Sequence, residues 1–458
     1  MALPSTAALS AYRTADGAVQ LTVSSPTNIA VIKYWGKADA RLNTPINSSV
    51  SVTINQRDLR TTTTVTASKS FERDRLWLNG VEEDAASNKR VQAVLAAVRS
   101  RAGDAVDASG AVLVAKAEWP QYRVHVVSAN NFPTAAGLAS SAAGYAALAY
   151  ALATLHGFTG GAAELSTIAR QGSGSAIRSL AGGFVAWDMG RRADGSDSVA
   201  RQVAPADHWP ELCVLILVVS DAKKTVSSTA GMGTSVKTSP LLAHRAAAVV
   251  PDRLRAMEAA YLARDFGAFA TLAMQDSNQF HATCLDTHPP IFYLNDVSRA
   301  IIQMVHAFND AAGEVRLGYT FDAGPNAVLL LRREHAADAL AAVLKYFPPS
   351  AAAAADGYVS DAALAAAAAA APPNPALAAA FPLPPQPGAV KKVYCTDVGP
   401  GAHVLPPEEV LADGAGMPLA TADGGGGGAL WGGPFLSMPA KAALVVIALA
   451  ALRSALRK

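Results

Sequence analysis

Residues 130–144 read Asn130-Asn131-Phe132-Pro133-Thr134-Ala135-Ala136-Gly137-Leu138-Ala139-Ser140-Ser141-Ala142-Ala143-Gly144. Small side chains let the backbone approach a ligand closely. The adjacent hydroxyls of Ser140 and Ser141 sit where a helix begins. Free N–H groups at that point, together with the helix dipole, favour phosphate oxygens. The loop has no Gly-Lys-Ser/Thr and is not a Walker A loop, nor is it the glycine loop of protein kinases. Taken by itself, the run also fits a tightly packed Ala/Gly helix.

Outward from this loop the chain alternates strand and helix signals. Residues 21–23, 50–54 and 61–66 are rich in β-branched side chains and predict strands. Residues 76–78 run into Asn79-Gly80, a hairpin signal. Val91, Val94, Leu95 and Val98 fall on one helical face, and residues 122–127 alternate as a strand. A small-residue helix follows the loop to Leu155. The continuous apolar run 212–219 fits a central strand buried on both faces. Helices are predicted over 241–284, 297–312 (stopped by Gly313) and 334–347, and strands over 316–321, 327–331 and 390–396.

This texture sets a boundary near 205 and two folded stretches, 21–204 and 205–347, behind a loose extension, 1–20. Residues 348–387 are Ala/Pro-rich and read as an exposed low-complexity insertion. Residues 402–458 read as a mostly disordered Gly/Pro-rich tail.

Composition excludes several classes. The 458 residues are 51 % hydrophobic and 16 % charged, which argues against a chain disordered throughout. A net charge of +2 with no long Lys/Arg run argues against nucleic acid as a partner. Cys213, Cys284 and Cys395 form neither a metal-spacing motif nor a disulfide framework. That points to a reducing compartment, with a cytoplasmic location expected and a peroxisomal one left open. The N-terminus lacks the apolar core of a secretory signal. The apolar run 442–452 is too short for a stable membrane span, which needs about 20 residues.

Three further segments carry chemistry. In 172–179, Ser173, Gly174, Ser175 and Arg178 place hydroxyls, a flexible glycine and a planar two-point donor within six residues. In 26–37, Lys33 and Lys37 supply positive charge for a polyanion, beside Tyr34, Trp35 and Gly36. Asp322 stands at a strand-to-turn junction, where an aspartate acts as a turn former or, with a substrate hydroxyl in reach, as a base.

Together the stretches PTNIAVIKYWGK, NNFPTAAGLASSAAG, SGSAIRSLAGGFVAWDMG, DAKKTVSSTAGMGTS, MQDSNQFHATCLDTHPPIFYLND and GYTFDAGPNAVLLL resemble, in order, the mevalonate diphosphate decarboxylase family of the GHMP kinase superfamily. The resemblance covers most of the chain from about 20 to 400. The departures are Ile177, where the family often has cysteine, the 348–387 insertion and the tail.

The resemblance implies a two-domain α+β fold, with an S5-like N-terminal half and a ferredoxin-like C-terminal half, the active site in the cleft between them and the strand near 390–400 returning to the first half. It implies conversion of mevalonate 5-diphosphate and ATP to isopentenyl diphosphate, ADP, phosphate and carbon dioxide, in isoprenoid and sterol biosynthesis. Asp322, Arg178 and Ser141 correspond to catalytic residues. Pro133, Ala136, Gly137, Leu138, Ala139, Ser140 and Ser141 correspond to the ATP-phosphate loop, with Mg²⁺ carried by the phosphates and no dedicated protein cage. Tyr34, Trp35, Gly36, Lys37, Arg90, Ser173, Gly174, Ser175, Ala176, Ile177, Arg178 and Thr229 correspond to the substrate site, with Asn28, Lys33 and Ser228 in support. A homodimer is implied as well. The small-molecule kinases of the superfamily commonly place an aspartate in the segment that here carries Arg178. That difference favours the decarboxylase over a mevalonate or phosphomevalonate kinase. Asp322, Arg178 and Ser141 together argue against a non-catalytic metabolite-binding relative.

Overall fold

The computed structural model describes residues 11–132, 140–222, 224–355 and 357–419. Strands and helices are numbered separately along the chain. The first sheet runs β1 (Tyr12–Arg13), β2 (Val19–Pro26), β7 (Arg60–Ser68), β12 (Arg123–Asn130), β8 (Arg75–Leu78), β9 (Val81–Glu83), and β19 (His403–Val404) also pairs with β2. Asn79 and Gly80, both with positive φ, close the β8–β9 hairpin that the Asn-Gly pair predicts. Helices α1 (Lys89–Arg99), α2 (Ser140–Leu155) and α3 (Ala162–Gly172) cover this sheet. The apolar face read for α1 is the buried one. Alanines dominate α2, so it lies directly on β2 and β7.

A second sheet, β14 (Ala200–Ala204), β13 (Phe184–Trp187), β6 (Ser49–Thr53) and β3 (Asn28–Ile32), continues the N-terminal half. Two short ribbons, β4 (Lys37–Asp39) with β5 (Thr44–Pro45) and β10 (Ala105–Val106) with β11 (Val112–Val114), lie at its margins. The third sheet runs β16 (Leu317–Phe321), β17 (Ala327–Arg332), β15 (Leu212–Val218), β18 (Lys392–Asp397). β15 is apolar throughout because both of its faces are covered. Cys213, Leu215 and Leu217 face one core, and Leu212, Val214 and Ile216 face the other. Helices α4 (Ser228–Thr238), α5 (Pro240–His244), α6 (Val250–Leu262), α7 (Phe266–Asp286), α8 (Asp296–Ala312) and α9 (Ala336–Tyr346) complete this half. A π-helical turn, Arg245–Val249, joins α5 to α6.

Four expectations are corrected. The extension 1–20 contributes β1 to the first sheet. The strand near 390–400 is not a strand of the first domain: β18 pairs with β15 in the third sheet, Cys213 facing Asp397, and only its exit, residues 397–399, bonds to the N-terminal half at Thr53, Asn55 and Gly183. β19, six residues after β18, then adds a strand to the first sheet. The 348–387 stretch is largely exposed, as expected, but it is folded rather than an irregular insertion, and four of its described side chains are buried. It forms α10 (Ala351–Ala355), α11 (Ala362–Ala370) and α12 (Pro375–Ala380), and Tyr358, Leu377 and Phe381 enter the core beneath α8 and α9. The described part of the tail, 402–419, is packed, with Leu405, Leu411 and Ala412 buried. Residues 420–458 lie outside the described residues.

Candidate active site

A cavity of about 450 Å³ opens where β3, the turn after it, the start of α2, α4 and the β16–β17 turn converge. Its floor is built from β3 and the 3₁₀ turn Gly174–Ser179. Asn28 donates to Ser175 O at 3.1 Å and to Ser179 Oγ at 2.7 Å. Its own Oδ1 accepts from Arg178 Nε at 3.3 Å and from Ser51 Oγ at 2.9 Å. Arg178 Nη1 donates to Ser49 Oγ at 2.6 Å. The guanidinium is thus held by neutral partners, and burial brings its pKa down to about 10, against the opposing pull of Asp322 and Tyr34.

Tyr34 stands against Trp187, ring centroids 4.7 Å apart, and burial pushes its hydroxyl pKa up. A Cβ on Gly174 would meet Trp187 at 2.9 Å and Tyr34 at 3.1 Å, so only glycine lets the turn run this close to both rings. Trp35 donates through Nε1 to Ser235 Oγ at 2.9 Å, which ties β3's exit to α4. Gly36 has φ of +98°, and a Cβ there would meet Ile46 at 2.7 Å. It turns the chain between Trp35 and Lys37.

Asp322 follows β16. Lys33, which follows β3, donates from Nζ to Asp322 Oδ1 at 2.6 Å and to Ala30 O at 2.7 Å. Burial lowers the pKa of Lys33, and Asp322 and Asp276 oppose that shift. Lys224 donates to Ala323 O at 2.7 Å and to Ser228 Oγ at 3.3 Å; burial lowers its pKa too, partly offset by Asp322. Arg90 reaches Thr229 Oγ1 at 3.3 Å. Lys37 is held below the ordinary lysine range by burial and by Arg90. Ser141 Oγ lies 3.5 Å from Ser173 Oγ, which lies 3.4 Å from Ser175 Oγ, a row of hydroxyls along one wall.

Of the residues read from sequence, Asn28, Lys33, Tyr34, Trp35, Lys37, Arg90, Ser140, Ser141, Ser173, Gly174, Ser175, Arg178, Ser228, Thr229 and Asp322 line this one cavity. Ala176 and Ile177 are fully buried and stand behind its wall. Pro133, Ala136, Gly137, Leu138 and Ala139 lie outside the described residues. Sequence reasoning missed Lys224, Met232 and Phe280, which also line the cavity. The Lys223-Lys224 pair just beyond the buried run was the available signal for the first.

Lys33, Lys37, Arg90, Arg178 and Lys224 face the cavity, and Asp322 is the acidic residue among its described lining. Such a wall suits a polyanion, with one carboxylate placed for proton transfer. Among the described residues no cluster of three His, Cys, Asp or Glu side chains could hold a metal ion. The donors instead fit a cation that arrives on phosphate oxygens. A second, largely apolar cavity of about 220 Å³ shares Ser140 and Ser141 with the first and is walled by Leu76, Val91, Val126, Tyr145 and Leu148.

Comparison with known proteins gives one family. Residues 25–200 match the diphosphomevalonate decarboxylase-like N-terminal domain, and residues 214–405 match the mevalonate 5-diphosphate decarboxylase C-terminal domain. The chain is 52 % identical to the diphosphomevalonate decarboxylase of Rattus norvegicus over 395 residues, covering 84 % of this chain and 94 % of the relative. It is 48 % identical to that of Schizosaccharomyces pombe over 408 residues, covering 87 % and 97 %. Among solved structures, the mevalonate diphosphate decarboxylase from Trypanosoma brucei superposes with a TM-score of 0.78 at 38 % identity, covering 86 % of this chain and 99 % of that one. A structure of MDDEF in complex with MVAPP, AMPPCP and magnesium superposes with a TM-score of 0.62 at 29 % identity, covering 85 % and 99 %. With both halves matched in order and a GHMP-kinase-type α+β architecture around the cleft, the chain belongs to the mevalonate 5-diphosphate decarboxylase family.

Proposed function

We propose that this enzyme converts mevalonate 5-diphosphate and ATP to isopentenyl diphosphate, ADP, phosphate and carbon dioxide. The observation that carries the reading is the basic cavity with Asp322 and Arg178 on its wall. The MDDEF complex with MVAPP, AMPPCP and magnesium supports it.

The 3-hydroxyl of the substrate attacks the γ-phosphorus of ATP. An O–P bond forms, the bond to the β-phosphate oxygen breaks, and the hydroxyl proton passes to Asp322. Lys33 orients that carboxylate. Phosphoryl transfer depends on positioning and electrostatics, which Lys224 and the Ser141–Ser173–Ser175 hydroxyl row supply here. Ser141 would hold a Mg²⁺ arriving on the nucleotide phosphates, and that cation would supply neutralisation of their charge. The 3-phosphate then leaves with its electron pair. The bond between carboxylate and C2 breaks, and its electrons form the C2–C3 double bond. Asp322 faces the positive charge that develops at C3, and Arg178 holds the carboxylate in line until carbon dioxide departs. Tyr34, Lys37, Arg90 and Thr229 grip the diphosphate. The second cavity, apolar and joined to the first at Ser140 and Ser141, takes the adenine.

A cytoplasmic homodimer belongs to the same reading. The test is incubation with ATP, Mg²⁺ and mevalonate 5-diphosphate. ADP and carbon dioxide appear one for one. ADP formed with a stable phosphorylated product and no carbon dioxide assigns the protein to the kinases instead.

A further inference from the structure

The stretch Asp276-Ser277-Asn278 on α7 does not line the cavity, yet it touches the main chain on both sides of the Lys33–Asp322 pair. Asp276 and Arg245 are fully buried and joined by two bonds, Nη1 to Oδ1 at 2.7 Å and Nη2 to Oδ2 at 2.8 Å. Between them they hold Lys33. Its N–H donates to Asp276 Oδ2 at 2.7 Å, and its C=O accepts from Arg245 Nη2 at 3.2 Å. The next residue, Ser277, accepts the N–H of Phe321 at 3.0 Å, one position before Asp322. Asn278 accepts from the Tyr319 hydroxyl at 3.0 Å, farther back on β16. Arg245 opens the π-helical turn before α6, the kind of helix defect that recurs at functional sites.

A buried ion pair is poor evidence for stability, because taking both charges out of water offsets most of their attraction. Here both partners are directed at the main chain of one catalytic-site residue. We propose that Asp276 and Ser277, braced by Arg245, are positioning residues for the reaction: α7 fixes the main chain beneath Lys33 and Asp322 and thereby sets the ammonium against the carboxylate. This rests on the decarboxylase reading above. Asp322, Asp276, Arg178, Lys224 and Tyr34 face or adjoin Lys33, as does His281, whose pKa burial pushes down to about 3.

The test uses the full chain and steady-state kinetics across pH, with the wild-type protein alongside. Asp276→Asn keeps the shape and removes the charge. Its kcat should fall about tenfold to a hundredfold, the loss expected from a small misplacement at the reacting centre. KM for both substrates should change less than threefold, about the size of weak indirect effects. The alkaline limb of kcat should also move to lower pH, since removing a neighbouring negative charge makes Lys33 easier to deprotonate. Ser277→Ala deletes only a hydroxyl and should lower kcat severalfold, and Ser277→Thr, which restores the acceptor, should recover it. Wild-type kcat and pH profile in Ser277→Ala and in any folded Asp276→Asn, with only a lowered Tm, would overturn the proposal. If Asp276→Asn does not fold, the Ser277 pair decides alone. Failure of the wild-type protein to release carbon dioxide would count against the parent reading instead.

Discussion

Lys33 Nζ lies 2.6 Å from Asp322 Oδ1, although 289 positions separate the two residues in the chain. One follows a strand of the N-terminal half and the other follows a strand of the C-terminal half. The carboxylate proposed as the base is therefore set by the junction of the two halves, and neither half alone contains the pair.

Replacing Asp322 separates chemistry from binding. Asp322→Asn keeps size and hydrogen bonding but loses the proton acceptor and the charge that the proposed mechanism sets against C3. General-base loss alone costs roughly 10²–10⁴-fold. We expect kcat to fall about 10³-fold or more once the electrostatic loss is included. KM for mevalonate 5-diphosphate should barely change, since Lys37 and Arg90 remain. A raised KM with intact kcat would make Asp322 a binding residue.

Arg178→Lys is not a mild change. Nε and Nη1 are spent on Asn28 and Ser49, so the planar group is oriented before substrate arrives. A lysine keeps the charge and loses that geometry. The expected loss is about 1.5–3 kcal/mol, or about ten- to a hundredfold in kcat/KM. Unchanged kinetics would remove the carboxylate assignment.

Truncation tests the packed segment after Gly401. Leu405 and Leu411 are buried, and burial of such a side chain contributes about 1.5–3 kcal/mol. Gln20 also donates to Asp413 O at 3.0 Å. A chain ending at Gly401 should melt several degrees lower than the full chain. One ending at Leu419 keeps every one of these contacts and should melt with the full chain. Equal melting temperatures for all three would show that the segment adds nothing.

Two buried histidines make stability depend on pH. Burial lowers His156 to about 4 and His281 to about 3. Each is neutral in the folded state and takes up a proton more readily when unfolded. Below the ordinary histidine value of about 6.5 the unfolded chain binds more protons, so stability falls as pH falls. For His156 that window closes near 4. The slope is about 1.4 kcal/mol per pH unit for each group. Urea unfolding between pH 7 and pH 4.5 measures it, and His156→Gln should flatten the dependence.

Much of the cavity lining could be read from the sequence because its residues sit in short runs whose chemistry is local. Hydroxyls, guanidinium and glycine in 173–178 need only one turn to converge. Phe280 and Met232 were not legible, since an apolar residue on a helix reads as core until its neighbours are known. Long-range pairing was invisible as well. No local signal tells 390–396 to join β15 rather than the first half. Residues 348–387 misled because alanine repeats look like low complexity. Tyr358, Leu377 and Phe381, which anchor them, are too sparse to show a period.

The return of β19 to β2 bears on how the chain is made. β19 pairs with Val23 and Ser24, and β1 pairs with Val19 and Gln20 at the other end of the same strand. Proteins leave the ribosome N-terminus first, and early domains ordinarily close before later ones emerge. Here half of one edge of the first sheet stays open until residue 404 has been synthesised, with its N–H and C=O groups free to template another strand. Nascent chains stalled in the C-terminal half should therefore be the aggregation-prone species.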